Sequence, residues 1–317
     1  MSSSLPEDII EENILIRLPV KSISRFSNCM PALLGSSNGL VLMDPMTSDE
    51  NTCIWNPATG EYKRLPEYLD PLDSVAHGFG FDCKNDDYKV VRISCTDPNG
   101  EVLDAGVYSL ASNSWKNLGI VPYDHFPRGT NNGVLLNGVI HWIAAVTVSR
   151  VLVCFDVSDE MFRDVPLPYN SSDEDEAPSI FDLGVWEGKL CLFQKNHTED
   201  PDICTHQNDH VDVWTMMDNK WSKHIKITAR MTDMYYGRPI QTLQNGEILI
   251  EGGLREEEDS IDLISYDPKL ERVRDLKIHG FVGVSEVDTY IETLVPLNSG
   301  TYVNKILILT DDGDLDL

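Results

Sequence analysis

The sequence predicts an all-β fold built as a β-propeller of about five to six blades, and three observations carry that expectation. Short apolar runs rich in β-branched and aromatic residues recur along the chain from Gly35 onward. Small turn signals punctuate them at regular intervals, and no helix-period pattern of comparable length interrupts the series.

Each repeat has two parts. The first is a turn followed by an apolar strand: SSNGLVLM (36–43), LLNGVIHWIA (135–144), VWEGKLCLF (185–193) and LQNGEILIEG (243–252). The Asn-Gly pairs beginning at Asn38, Asn137 and Asn245 suit tight hairpins, because both residue types tolerate positive φ. The second part appears as CIWNPATGEYKRLP, VYSLASNSWKNLG, LVCFDVSDEMFRDVPLP, VDVWTMMDNKWSKHIKI and LISYDPKLERVRDLKI. In each, an anchor (Trp55, Ser109, Phe155, Trp214, Tyr266) precedes a turn, and a second large residue comes after it (Tyr62, Trp115, Phe162, Trp221, Val273). That is a hairpin whose arms present one face to a core. The anchors recur every ~45–60 residues, the period of kelch-type blades. HGFGFDCKNDDYKVVRIS supplies the opening strands of the second blade, and VNKILIL, from Val303 to Leu309, is expected as a late strand completing or closing a sixth. A large irregular β-sandwich would show similar alternation.

Composition narrows the partners. The chain has 317 residues, 41% of them apolar, enough for a substantial core. Its 25 basic residues face 52 acidic ones, a formal charge of −27, which repels nucleic acid and anionic lipid and favours neutral or basic partners. No stretch approaches the ~18 apolar residues of a membrane span, and the first thirty residues lack the basic and apolar regions of a signal peptide. The expected compartment is therefore cytoplasm or nucleus. The seven cysteines mostly sit in apolar runs and read as reduced core residues.

Residues 1–30 differ in kind from residues 31–317, and two domains are expected. In LPEDIIEENILIRLPVKSISRF, Pro6, Glu7 and Asp8 suit the first turn of a helix, Ile10, Ile14 and Leu18 recur at helical spacing, and Pro19 stops the helix. So short a helix cannot bury its apolar stripe alone and must pack on the propeller or on a partner.

This segment resembles the start of an F-box. GSSNGLVLM, IWNPATGEYKRLP, GFGFDCKNDDYKVV, VYSLASNSWK, LNGVIHWIA, FDVSDEMFRDVPLP, GVWEGKLCLF and VDVWTM resemble, in order, the F-box associated, kelch-like interaction domain of plant F-box proteins. The resemblance implies a non-catalytic substrate-recognition subunit of a Skp-cullin-F-box ubiquitin ligase. The adaptor contact would fall on Leu5, Pro6, Ile9, Ile10, Leu15, Leu18, Pro19, Val20 and Ile23, and the propeller would hold an unidentified target protein. A helix with unsatisfied apolar surface is what docking in a groove requires. Two departures stand out. The family usually reads EEILIRLP where this chain has EENILIRLP, and Asn13 turns the residues after it by about 100° around the helix. After Phe26, SNCMPALLG passes almost directly into the repeats where the family continues with further F-box helices. A truncated F-box with weakened adaptor affinity is expected.

Other residue groups carry less. His197, Cys204, His206 and His210 with Asp200, Asp202, Asp209 and Asp212 are zinc-ligand types, but no expected helix brings His206 and His210 together and no second ligand pair completes a site. The acidic runs SSDEDEAPS (171–179) and REEED (255–259) read as solvated loops. DDGDLDL at the end of the sequence lacks the glutamate that completes a calcium loop. No metal or cofactor is expected. There is no GxSxG elbow, P-loop or GxGxxG. Two other readings compete with the receptor: a stand-alone binding module that has lost adaptor coupling, and an enzyme on a propeller scaffold, which would need ligands converging from several blades.

Overall fold

The computed structural model describes residues 32–44, 52–68, 74–97, 102–127, 132–147, 149–168, 180–196, 210–227, 234–243, 245–254, 261–276 and 293–297. These form a five-bladed β-propeller in which every blade is a four-stranded antiparallel meander. The first blade is β1 (Ala32–Ser37), β2 (Leu40–Asp44), β3 (Cys53–Trp55) and β4 (Tyr62–Arg64). The second is β5 (Ser74–Asp82), β6 (Asp87–Cys95), β7 (Leu103–Ser109) and β8 (Ser114–Val121). The third is β9 (Val134–Leu136), β10 (Val139–Val146), β11 (Ser149–Asp156) and β12 (Met161–Pro166). The fourth is β13 (Ile180–Trp186), β14 (Lys189–Asn196), β15 (His210–Met217) and β16 (Lys220–Ile227). The fifth is β17 (Met234–Thr242), β18 (Ile248–Leu254), β19 (Ile261–Asp267) and β20 (Arg272–Leu276). The first strands of successive blades, β1, β5, β9, β13 and β17, lie side by side. The expected N-terminal helix and the late strand at 303–309 lie outside the described residues.

Local chemistry explains the turns. Asn38 and Gly39 both have positive φ (45° and 84°), as do Asn137 and Gly138 (51° and 77°), the backbone of a two-residue turn matched to strand twist. The fifth blade departs from that expectation. Around Asn245 the turn is wider, with Gly246 N–H donating to the Leu243 carbonyl and Leu243 N–H to the Glu247 carbonyl.

The aromatic anchors face their followers across the third and fourth strands: Trp55 opposes Tyr62, Phe155 opposes Phe162 and Tyr266 opposes Val273. One anchor is corrected, and another is offset by a turn. In the second blade Tyr108, not Ser109, opposes Trp115 and is fully buried; Ser109 instead turns its hydroxyl to Asp87 (2.6 Å) and to the Ser112 amide (3.1 Å). In the fourth blade Trp221 opposes Met216, because a two-residue turn at Asp218 and Asn219 brings the strands together sooner than Trp214.

Strands β6, β11 and β14 are buried on both faces over these stretches, which is why VVRI, LVCF and KLCLF read as continuous apolar runs rather than alternating ones. Tyr88 and Val90 join Leu34, Leu40, Leu42 and Ile54 between the first two blades. Val91 and Ile93, one residue out of phase, join Ile140, Trp142, Val153 and Phe155 of the third. Leu152 and Cys154 continue to Leu190 and Leu192 of the fourth, and Cys191 and Phe193 continue to Ile248 and Ile264 of the fifth.

The GFGFD segment shows how tightly one seam is fitted. Phe79 packs towards the first blade, while Gly78 lies against the third, where a Cβ would stand 2.5 Å from Trp142 Cζ2. The indole of Trp142 can therefore approach β5 and donate to the His77 carbonyl at 2.8 Å. The Leu-Pro pair after β4 and the Val-Pro pair that ends β12 also have a function in packing. Trp115 Nε1 of the second blade donates to the Pro66 carbonyl of the first (2.7 Å), and Trp221 Nε1 of the fourth donates to the Pro166 carbonyl of the third (3.0 Å). Outer edges are thus tied blade to blade.

Candidate functional site

A meander of four strands sends its two hairpin turns to one end of the blade and its remaining connections to the other. The turn end of this propeller carries the short loops 38–39, 83–86, 137–138, 187–188 and 218–219, together with 56–61, 110–113, 157–160 and 268–271. The opposite ends of the strands, at Asp44, Cys95, Val146, Asn196 and Leu254, define the connector end. Ala32 pairs with Asp44, so the chain enters the innermost strand of the first blade at the connector end.

The predicted adaptor residues Leu5, Pro6, Ile9, Ile10, Leu15, Leu18, Pro19, Val20 and Ile23 lie outside the described residues, so the fold neither gathers nor separates them. Of the zinc-like group, His197, Asp200, Asp202, Cys204, His206 and Asp209 also lie outside. Asp212 belongs to β15, where it is ion-paired with Lys223 at 2.7 Å. Among the described residues no group of three His, Cys, Asp or Glu side chains is placed to hold a metal.

The charge chemistry that is well defined sits at the turn end, between the second and third blades. The Lys89 ammonium is buried and bonds to Asp82 Oδ2 (2.8 Å), Glu160 Oε1 (2.8 Å) and the Val157 carbonyl (3.0 Å). Asp82, fully buried, also accepts from Ser158 Oγ (2.7 Å), Asn85 Nδ2 (2.7 Å) and the Lys84 amide (2.9 Å). Glu160 accepts from Lys116 at 2.6 Å, and Lys84 reaches Asp159. Burial alone would raise the Asp82 carboxyl, but the bonds from Lys89, Asn85, Ser158 and the Lys84 amide outweigh it and hold the group well below the usual carboxylate range. Burial likewise opposes the charge on Lys89, and its two carboxylate partners reverse the balance and raise it. The network locks the β5–β6 turn to the β11–β12 turn. In the sequence Lys89 stands out only as part of a β-prone run.

A second constellation at the turn end involves Asn56 and Glu61 of the first blade. Asn56 Oδ1 accepts from the amides of Ala58 (2.9 Å) and Thr59 (3.3 Å), shaping the NPATGE turn. Its Nδ2 donates to two carbonyls far along the chain, those of Thr293 (3.1 Å) and Val295 (2.9 Å). Glu61 Oε2 accepts the Leu297 amide at 2.8 Å. Leu297 is buried in the cluster between the first two blades, with Val295 packed beside it. The segment 293–297 is thereby strapped across the blade on which the repeats begin.

Two buried histidines and two buried cysteines are driven towards their neutral forms. Burial brings His77 and His141 down to about 4, helped at His77 by Arg92. Burial pushes the Cys191 thiol up to about 12, and the Cys154 thiol is also raised. A thiol held protonated is a poor nucleophile. These residues are packing elements.

Comparison with known proteins agrees with this architecture. The family described as F-box associated beta propeller domain matches residues 2–298. F-box protein CPR1 of Arabidopsis thaliana is 25% identical over 301 residues, covering 83% of this chain and 67% of the relative. F-box protein At3g07870 of the same plant is 26% identical over 323 residues, covering 86% of this chain and 72% of the relative. F-box/kelch-repeat protein At3g23880, also from Arabidopsis thaliana, is 25% identical over 234 residues, covering 69% and 58%.

Proposed function

Because the chain belongs to the F-box associated beta-propeller family, we propose that it is the substrate-recognition subunit of a Skp-cullin-F-box ubiquitin ligase. The observation that carries this reading is the family match over residues 2–298, joined to a propeller whose first, innermost strand begins directly after the N-terminal apolar segment. In this reading Leu5, Pro6, Ile9, Ile10, Leu15, Leu18, Pro19, Val20 and Ile23 dock on a Skp-family adaptor, a cullin scaffold is recruited through that adaptor, and the propeller grips a target protein in the cytoplasm or nucleus. The chain contributes binding, and partner enzymes contribute the chemistry. The blades, whose second strands are buried on both faces, support such a role, since a packed scaffold presents loops for recognition. The acidic excess favours a neutral or basic target surface.

Co-purification with a Skp-family adaptor tests the proposal. The unsubstituted chain is expected to retain the adaptor and Leu18→Asp to lose it, because a carboxylate in an apolar groove is desolvated without a partner. Failure of both forms to bind would leave a stand-alone binding module and refute the receptor reading.

A further inference from the structure

We propose that the Asn56–Glu61 turn is a peptide-binding site, occupied in cis by residues 293–297 and open to exchange with an extended peptide of the same pattern. Three features point to a site rather than to ordinary chain packing. First, recognition is through backbone atoms: Asn56 Nδ2 reads the carbonyls of residues 293 and 295, and Glu61 Oε2 reads the amide of residue 297. A regular i, i+2, i+4 reading selects an extended conformation and is indifferent to side chains. Second, the reading groups are built in advance. Asn56 is fully buried, Glu61 nearly so, and the Asn56 oxygen is fixed by the amides of its own turn, which leaves both Nδ2 hydrogens for the peptide. Third, the seated segment is not a strand of any blade. It is held by these side chains and by Leu297, with Val295 packed at its side, while Leu294, on the opposite side of Val295 from Leu297 in the chain, stands 82% exposed.

These contacts define the ligand class. The peptide must be extended, with aliphatic side chains two residues apart that enter the cluster of Leu34, Leu40, Ile54 and Phe79. The residues between them are free to vary in side chain. Proline between them suits the site, since position 296 makes no backbone donation there and the ring favours the extended form. The present chain supplies Val295-Pro296-Leu297 as its own ligand.

The experiment uses the full chain and the synthetic peptide IETLVPLNS, corresponding to residues 291–299. Leu297→Asp is expected to lower the melting temperature by unseating the cis segment, and excess peptide is expected to restore it; the same peptide with aspartate in place of its second leucine should not. By fluorescence polarisation the labelled peptide should bind the Leu297→Asp chain about tenfold more tightly than the unsubstituted chain, whose own segment competes, and binding should be lost when Asn56→Asp is added. Leu297→Ala, which keeps every backbone contact, serves if the aspartate variant does not fold. Binding that is absent from every form, or equal in the substituted and unsubstituted chains, would overturn the proposal.

Discussion

Replacing Asp82 with alanine is expected to cost about 3–5 kcal/mol, the usual consequence of removing one partner of a buried ion pair. Asp82 is enclosed completely and accepts five hydrogen bonds that join Lys89, Asn85, the Lys84 amide and Ser158, the last of these from the neighbouring blade. Its loss leaves the Lys89 ammonium in an interior with Glu160 as its remaining carboxylate partner. It also removes the Ser158 tie between the β5–β6 turn and the β11–β12 turn. The measurement is the denaturant midpoint of the variant beside that of Asp82→Ala combined with Lys89→Met. The double variant is expected to recover part of the loss, since it removes the stranded charge. A single variant as stable as the unsubstituted chain would show that the network does not hold the second and third blades together.

Acid is expected to unfold the propeller in two stages. His77 and His141 are held neutral, each brought from 6.5 to about 4 by burial. A group whose value is lowered on folding contributes its full stability above the unfolded value and loses it as pH falls through the folded one. The histidine contribution should therefore be level above pH 6.5 and decline from there to pH 4, by on the order of 3 kcal/mol per histidine at the lower limit. Asp82, whose value is also lowered, extends the decline below pH 4. Against a total of ~5–15 kcal/mol for a folded domain, the histidine stage alone is large. His141 Nδ1 faces the Val134 carbonyl at 3.1 Å, so His141→Asn retains an N–H for that contact. Combined with His77→Asn it should flatten the stage between pH 6.5 and 4 while leaving the lower one. Equilibrium unfolding across this range checks the expectation, and an equally steep decline in the double variant would refute it.

The blades are legible in the sequence because their signals are local. Asn38-Gly39 and Asn137-Gly138 announce their turns by the φ values they tolerate, and Trp55 with Tyr62 or Phe155 with Phe162 announces a hairpin by the aromatic pair that closes it. Where local chemistry is ambiguous, reading slips. VYSLASNSW offers Tyr108 and Ser109 as anchors, and only the register with Trp115 decides for Tyr108. Contacts made by tertiary arrangement leave no such trace. Lys89 sits in an ordinary β-prone run, and its partner Glu160 belongs to another blade. Asn56 and Glu61 sit within a recognisable hairpin, yet their partners at 293–297 lie more than two hundred residues away. His77 and His141 are inconspicuous as residues; burial makes them pH-sensitive. The adaptor residues from Leu5 to Ile23 rest on resemblance and lie outside the described residues.

Coupling of target capture to degradation is tested most directly by comparing protein levels in cells that carry the chain, lack it, or carry Leu18→Asp. Proteins that crosslink to the propeller are expected to accumulate when the chain is absent, to fall when it is restored, and to stay high with Leu18→Asp even though that variant still captures them. Captured proteins whose levels are the same in all three would contradict a receptor that delivers its target for ubiquitin transfer.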